Sequence, residues 1–255
     1  MCGRLNVLSA PLVAFIQDIL QVDPTLGHLS TEEPSAEEPS AKEPSTEELA
    51  ISGLTTEYNI APTAQIPVIR ATAGARTLAT MRWWLVPSWA KAPSTQFSMF
   101  NARSETLSTS PAFRDVFKTR RCIIPVSGYF EWQTLDGQKQ PYYVQAAESS
   151  GLALAGLWDL WSKAGQQILS CTIVTAAAPP SMQALHSRIP VHLSQAEVDV
   201  WLDGSAQAQN LQGLLSPRVK VPLQLTPVSR YVNNARNKTA LCLAPSGASR
   251  TVASG

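Results

Sequence analysis

The chain has 255 residues, a hydrophobic fraction of 44% and a formal net charge of +1, enough for one large folded domain or two small ones. It has no run of about 18 apolar residues, which excludes a transmembrane helix, and its first twenty residues lack the charged and apolar regions of a secretory signal. Four widely spaced cysteines (Cys2, Cys122, Cys171, Cys242) with no C-x-x-C pair argue against zinc and against a disulfide framework. They predict free thiols in a reducing, cytoplasmic compartment.

The chain opens "MCGRL", with a cysteine directly behind Met1. Removal of Met1 would give Cys2 a free α-amine beside its thiol. A first helix follows: Ser9 is the expected cap, Pro11 suits the first turn, and Leu12, Val13, Phe15, Ile16, Ile19 and Leu20 form its apolar face. Next comes "TEEPSAEEPSAKEPSTEEL", a five-residue repeat from Thr31 to Leu49 holding seven of the 19 acidic residues and one of the 20 basic ones. With almost no apolar content and repeated proline, residues 31–48 predict a disordered acidic insert. Without it the body carries +7, a charge that suits a polyanionic partner.

After the insert, "YNIAPTAQIPVIRA" reads as an extended segment leading into a strand. "RWWLVPSWAK" places three tryptophans in seven residues, and "NARSET" groups Asn101, Arg103 and Glu105. "SPAFRDVFKTRR" predicts a short helix capped by Ser110. "CIIPV", "PYYVQA", "LALAGLWDLW" and "LSCTIVTAA" are strand-like, and Cys122 and Cys171 within them predict buried, inert thiols. "SGYFEW" sets Glu131 among aromatic residues, a carboxylate that is either paired or desolvated. "ALHSRIP" sets His186 two residues before Arg188, on one side if the segment is a strand. "SQAEVDVWLDG" predicts a helix with a capping box from Ser194 to Glu197 and a stop at Gly204. A late strand, "VPLQLTPVS", precedes "RYVNNARNKTAL". Strands come in runs, which predicts an α+β fold with a curved, largely antiparallel sheet and flanking helices. His28 and His192 have no evident partner and read as structural. Taken alone, Glu131 and His186 are each as well explained by a structural role as by a catalytic one.

A nucleophilic Cys2 shifts that balance. An α-amine has a pKa of about 7.7–8.0, so roughly a tenth to a fifth of it is neutral near pH 7. An amine and a thiol on one residue react with an aldehyde first as a Schiff base and then by ring closure to a thiazolidine, and a nearby acid must help water leave.

The ordered set "MCGR", "YNIAP", "RWWLVPSWAK", "NARSET", "RCIIPVSGYFEW", "AGLW", "TIVTAAA", "HSRIP" and "PVSRYVNNARN" resembles the SRAP family (SOS response-associated peptidase-like proteins). The resemblance spans nearly the whole chain to about residue 240, outside the insert, and leaves 241–255 as a tail. It implies a single SRAP-like domain that acts on abasic sites in single-stranded DNA. It implies Cys2, Asn101, Glu131 and His186 as the catalytic set, with Cys2 forming a thiazolidine crosslink to the ring-opened abasic sugar. Arg4, Arg103 and Arg188 are implied as phosphate contacts, Pro62 as a wedge at the lesion and Trp89 as a base-stacking platform. No metal, cofactor or membrane enters this reading, and any peptidase action is confined to the chain's own Met1. The chain departs from the family where W-G-L becomes Trp83-Trp84-Leu85, and in the acidic repeat. Two rival readings remain. An N-terminal-nucleophile glutamine amidotransferase needs an Asn-Gly pair, and none of the seven asparagines precedes glycine. A non-covalent single-stranded DNA-binding module would leave Cys2 incidental.

The insert reads as an inert loop expansion. Deleting residues 31–48 is expected to leave single-stranded DNA affinity unchanged at low salt, measured by fluorescence anisotropy. Tighter binding would show that the acidic repeat competes for the basic body.

Overall fold

The computed structural model describes residues 2–22, 51–72, 75–206 and 208–255. The insert and His28 lie outside these residues. The fold is a single α+β domain of two packed sheets. In chain order its elements are β1 (Arg4–Val7), α1 (Ser9–Asp18), β2 (Glu57–Ile60), β3 (Gln65–Thr72), β4 (Ala75–Trp83), β5 (Asn101–Arg103), α2 (Arg114–Thr119), β6 (Arg121–Val126), β7 (Gly128–Leu135), β8 (Gln138–Ala146), β9 (Leu152–Lys163), β10 (Gln166–Ala177), α3 (Pro180–Gln183), β11 (Arg188–Pro190), β12 (His192–Leu193), α4 (Gln195–Leu202), α5 (Ala208–Gln212), β13 (Leu223–Pro227) and β14 (Arg250–Val252).

One sheet runs β14-β13-β8-β7-β1-β2. The other runs β11-β10-β4-β3-β6-β9-β12, with β5 added on β10. Because β9 also pairs with β10, the strands β10-β4-β3-β6-β9 close into a barrel. Pairing is antiparallel except where β4 and β5 meet β10. The expected curved, largely antiparallel sheet is present, and it curves far enough to close. Closure removes edges that would otherwise expose unpaired amides. Residues 250–252, beyond the last matching motif, pair with β13 and complete the first sheet.

The two sheets are one chain path at Ser127, where β6 of the barrel becomes β7 of the other sheet. Ser127 N–H donates to the Asn6 carbonyl at 2.9 Å, and its hydroxyl accepts from Leu8 N–H at 2.8 Å. Gly128 follows because the Tyr143 ring lies over it: an added Cβ would fall 2.5 Å from that ring. Most of the buried side chains form one continuous core, including Leu5, Leu12, Phe15, Ile16, Ile69, Trp83, Ile123, Leu154 and Trp201.

Two helix starts differ from the sequence reading. The helix α1 starts at Ser9, so Ser9 does not cap it; its hydroxyl meets Thr56 Oγ1 at 3.0 Å instead. Ser110 does not cap α2, which starts at Arg114; the Ser110 carbonyl accepts from Phe113 and Arg114 N–H (3.0 and 2.9 Å) in a turn that buries Phe113. The capping box of α4 is present, and the helix ends at Leu202 with Asp203 as its cap and Gly204 directly after. The buried Arg121 guanidinium takes the carbonyls of Trp201 and Asp203, and also those of Phe117 and Lys118 at the end of α2. One cation thus satisfies the carbonyl ends of two helices.

Cys122 and Cys171 are fully buried and all four cysteines are free thiols. No helix among the described residues is long and apolar enough to cross a membrane. His192 is 1% exposed and stacked on Tyr129 at 5.8 Å, and neither ring nitrogen has a hydrogen-bond partner among the described residues. Burial, with Lys220 nearby, lowers its pKa to about 3. A basic group depressed in the fold makes the unfolded chain the better proton acceptor between that value and the ordinary one of about 6.5. Stability is therefore expected to fall from pH 6.5 to pH 5 by up to about 1.4 kcal/mol per unit. Urea denaturation of His192→Leu should show a flatter profile over that range; an identical slope would show that His192 is not the source.

Candidate functional site

The second residue of the chain is fully buried. Cys2 is 0% exposed and belongs to the main core. Its carbonyl accepts from Asn101 Nδ2 at 2.8 Å. Asn101 begins β5, is 8% exposed, and has no partner for Oδ1 among the described residues. Burial, and after it the Glu131 carboxylate, pushes the Cys2 thiol far above its usual range. Glu131 is 4% exposed, and its Oε1 accepts from Trp132 N–H at 3.2 Å. Strand alternation puts Tyr129 and Glu131 on one face of β7 and Phe130 on the other. Accordingly Tyr129 packs in the same core as Cys2, and Phe130 in a second cluster with Tyr143 and Val232. Burial, then Cys2 and Glu131, raises the Tyr129 phenol well above its usual range.

The segment after Cys2 is anchored by Asn59 of "YNIAP". Asn59 is fully buried at φ +53°, a left-handed conformation that asparagine tolerates better than most residues. Its Oδ1 accepts from Arg4 Nη1 at 2.7 Å, and its Nδ2 lies 3.0–3.1 Å from the carbonyls of Val232, Asn234 and Asn237. Arg4 Nη1 also donates to Val232 O (3.1 Å), and its guanidinium lies 5.9 Å from the Trp132 ring centre. Arg4 thus ties β1 to the 232–233 segment through Nη1 and one Nη2 contact at 3.5 Å. Asn59 has no reactive group, and the signal for it is the asparagine placed just before a proline turn.

A second group lies across β10. Both β5 and β11 pair with the end of that strand: Thr175 is in register with Arg103 on one side and with Pro190 on the other. This brings Asn101 and Arg103 to one flank and His186 and Arg188 to the other. His186 Nδ1 lies 3.0 Å from Arg188 N–H and 3.2 Å from Arg188 O, so the Arg188 main chain holds that nitrogen whether it accepts or donates. The Arg188 side chain donates Nη1 and Nη2 to the two Glu105 oxygens (3.0 and 2.9 Å), Nε to Thr175 Oγ1 (3.2 Å) and Nη2 to Thr175 O (2.6 Å). Of its five N–H groups one, on Nη1, is left over. The Arg188 hydrogen bonds lower the Glu105 pKa. Arg103 is exposed.

Pro62 is half-buried in a turn whose next residue, Thr63, has φ +80°. That turn is bonded to Trp83 in both directions, Thr63 N to Trp83 O at 2.9 Å and Trp83 N to Ala64 O at 2.8 Å. Trp83 is buried and donates to Phe100 O at 2.9 Å. Trp84, which replaces the family's glycine, folds onto Phe100 (5.4 Å, 37°) and donates to Ser94 O at 3.2 Å. The backbone accommodates the larger residue because its side chain points into the following loop. Trp89 is 60% exposed, on a segment held to β9 by Ser88 N–H to Asp159 (2.7 Å) and Trp161 Nε1 to Ala90 O (2.9 Å). A cavity of about 470 Å³ lies elsewhere, lined by Arg76, Arg121, Trp158 and Asp199. Its arginines are engaged with Asp199 and with helix-end carbonyls, so the buried Cys2 environment is the stronger candidate site.

The family described as "SOS response associated peptidase (SRAP)" matches residues 1–235. The Bacillus subtilis protein named "Abasic site processing protein YoaM" is 36% identical over 72% of this chain and 82% of its own length. The Xenopus tropicalis "Abasic site processing protein HMCES" is 33% identical over 73% of this chain and 65% of its own length. A solved structure from Bacteroides thetaiotaomicron is 22% identical, covers 95% of this chain and 99% of its own, and superposes with a TM-score of 0.73, a likeness of fold. With the family matched over residues 1–235 and relatives above 30% identical over most of the chain, this protein belongs to the SRAP family.

Proposed function

We propose that the protein processes abasic sites in single-stranded DNA by forming a covalent crosslink through Cys2 once Met1 has been removed. The observation that carries this reading is the second residue of the chain, buried and held by Asn101 at 2.8 Å, beside a carboxylate that is itself 4% exposed. A cysteine kept for packing alone needs neither neighbour. The relatives' names supply the lesion, and the residues here supply a chemistry for it.

In the proposed reaction the Cys2 amine adds to the aldehyde carbon of the ring-opened sugar. The carbinolamine hydroxyl leaves as water, taking a proton from Glu131; the nitrogen proton then returns to the Glu131 carboxylate, and an imine remains. The thiol then adds across the C=N bond: sulfur bonds to carbon, and the thiol proton ends on nitrogen. Aldehyde and aminothiol thus give a thiazolidine and one water. The thiol's raised pKa supports this order, because a neutral thiol is a poor first nucleophile. Asn101 fixes the Cys2 backbone, and His186 offers its Nε2–H to the open sugar. The exposed Arg103 and the one remaining Arg188 N–H take phosphates, which give affinity without sequence preference. Trp89 supplies a sequence-tolerant stacking surface, and Pro62 sits on a turn rigid enough to act as a wedge. Arg4 serves as an internal brace.

Incubation with an oligonucleotide carrying one abasic site should give a covalent species on a denaturing gel. Cys2→Ala should abolish it, and so should a tag retained ahead of Cys2. No covalent species from protein whose Met1 is shown to be gone would overturn the proposal. Glu131→Gln is expected to slow crosslinking about tenfold or more, the usual scale of general acid catalysis, with little change in DNA affinity. A parallel loss of affinity would mark Glu131 as structural.

A further inference from the structure

We infer that Glu105 is a positioning residue for His186, acting through Arg188. The strand β11 has three residues and pairs only with the last residues of β10. Arg188 is its first residue, where a short strand frays most readily. The main chain of the same residue holds His186 Nδ1, with its N–H at 3.0 Å and its carbonyl at 3.2 Å. One main-chain bond, Ala178 N–H to Ser187 O at 2.9 Å, ties the residue before it to the end of β10. The Arg188 side chain adds four more hydrogen bonds across β10, two to Thr175 and two to Glu105. The two to Glu105 form a bidentate, charge-assisted pair, the strongest geometry open to a guanidinium.

Glu105 is well placed for the role. It lies in the single helical turn Ser104–Thr106 that directly follows Asn101–Arg103. The pair therefore links the segment that holds Cys2 to the segment that carries His186. Glu105 is half-exposed while the Arg188 side chain is 15% exposed. An exposed ion pair contributes little to stability. Its effect here is orientation: without the carboxylate, the Arg188 side chain keeps only its Thr175 contacts, the start of β11 loosens, and the imidazole is held less firmly by the Arg188 main chain that meets its Nδ1. A ring free to turn presents its Nε2 to the open sugar less often.

The inference rests in part on the proposed reaction, so the test has one readout that does not. In wild-type protein labelled with ¹⁵N in histidine, the His186 ring shifts should be those of one fixed tautomer, and Glu105→Ala should move them toward a mixture of tautomers. At saturating abasic-site oligonucleotide, Glu105→Ala should slow single-turnover crosslinking about tenfold, as small misplacements of reacting groups do. Affinity for unmodified single-stranded DNA should hold or tighten, because a negative charge has been removed. Glu105→Asp should recover part of the rate. An unchanged His186 shift would overturn the inference, as would a rate loss matched by an equal loss of affinity. If wild-type protein forms no adduct, the proposed function fails, and the imidazole shift alone decides the role of Glu105.

Discussion

Everything at the site depends on burying the beginning of the chain. Ends normally fray because ordering them costs entropy that few contacts repay. Here residue 2 has no exposed surface, and β1 starts two residues later between β7 and β2 in its sheet. Three anchors offset the entropy: the Asn101 bond to the Cys2 carbonyl, the ladder between β1 and β7, and the Arg4–Asn59 pair. Each anchor comes from a different part of the sequence. The position of the N-terminus therefore depends on β5, β7 and the 232–237 segment together, which makes the site a product of the complete fold.

The strand β10 organises the other half. It is the one strand that meets β4, β5, β9 and β11, and its pairing with β9 closes the barrel. Its end carries Thr175, whose hydroxyl and carbonyl both hold Arg188. Short functional segments, three residues each in β5 and β11, acquire rigidity from a twelve-residue neighbour. Reactive side chains on such segments are placed as accurately as the strand beneath them.

Much of this was legible in the sequence. Runs of β-branched and aromatic residues marked β6 and β8–β10 because those side chains favour a pleated surface. The capping box of α4 was legible because its partners are three residues apart. The pairing of Cys2 with Asn101 had no local signal, since 99 residues separate them. Closure of the barrel was equally hidden, because strand order is set by long-range registers. Ser9 and Ser110 misled for one reason: they carry cap chemistry, but other contacts, the Thr56 hydroxyl for Ser9 and the turn that buries Phe113 for Ser110, take those residues instead. Arg4 and Arg188 look alike in sequence as free cations, and only the fold shows how many of their donors are already taken.

That donor count bears on how a basic body meets a polyanion. The body carries +7 outside the acidic repeat, but charge and available hydrogen bonds are different quantities. Arg121 gives donors to helix-end carbonyls, Arg76 bonds Asp199 and Leu20, Arg120 pairs with Asp159, and Arg188 keeps one N–H. Their positive field persists at a distance even where their donors are taken. Attraction that is broad and contact that is sparse suit the covalent step proposed above: charge would concentrate a phosphate backbone, and selectivity would rest on the aldehyde rather than on phosphate contacts.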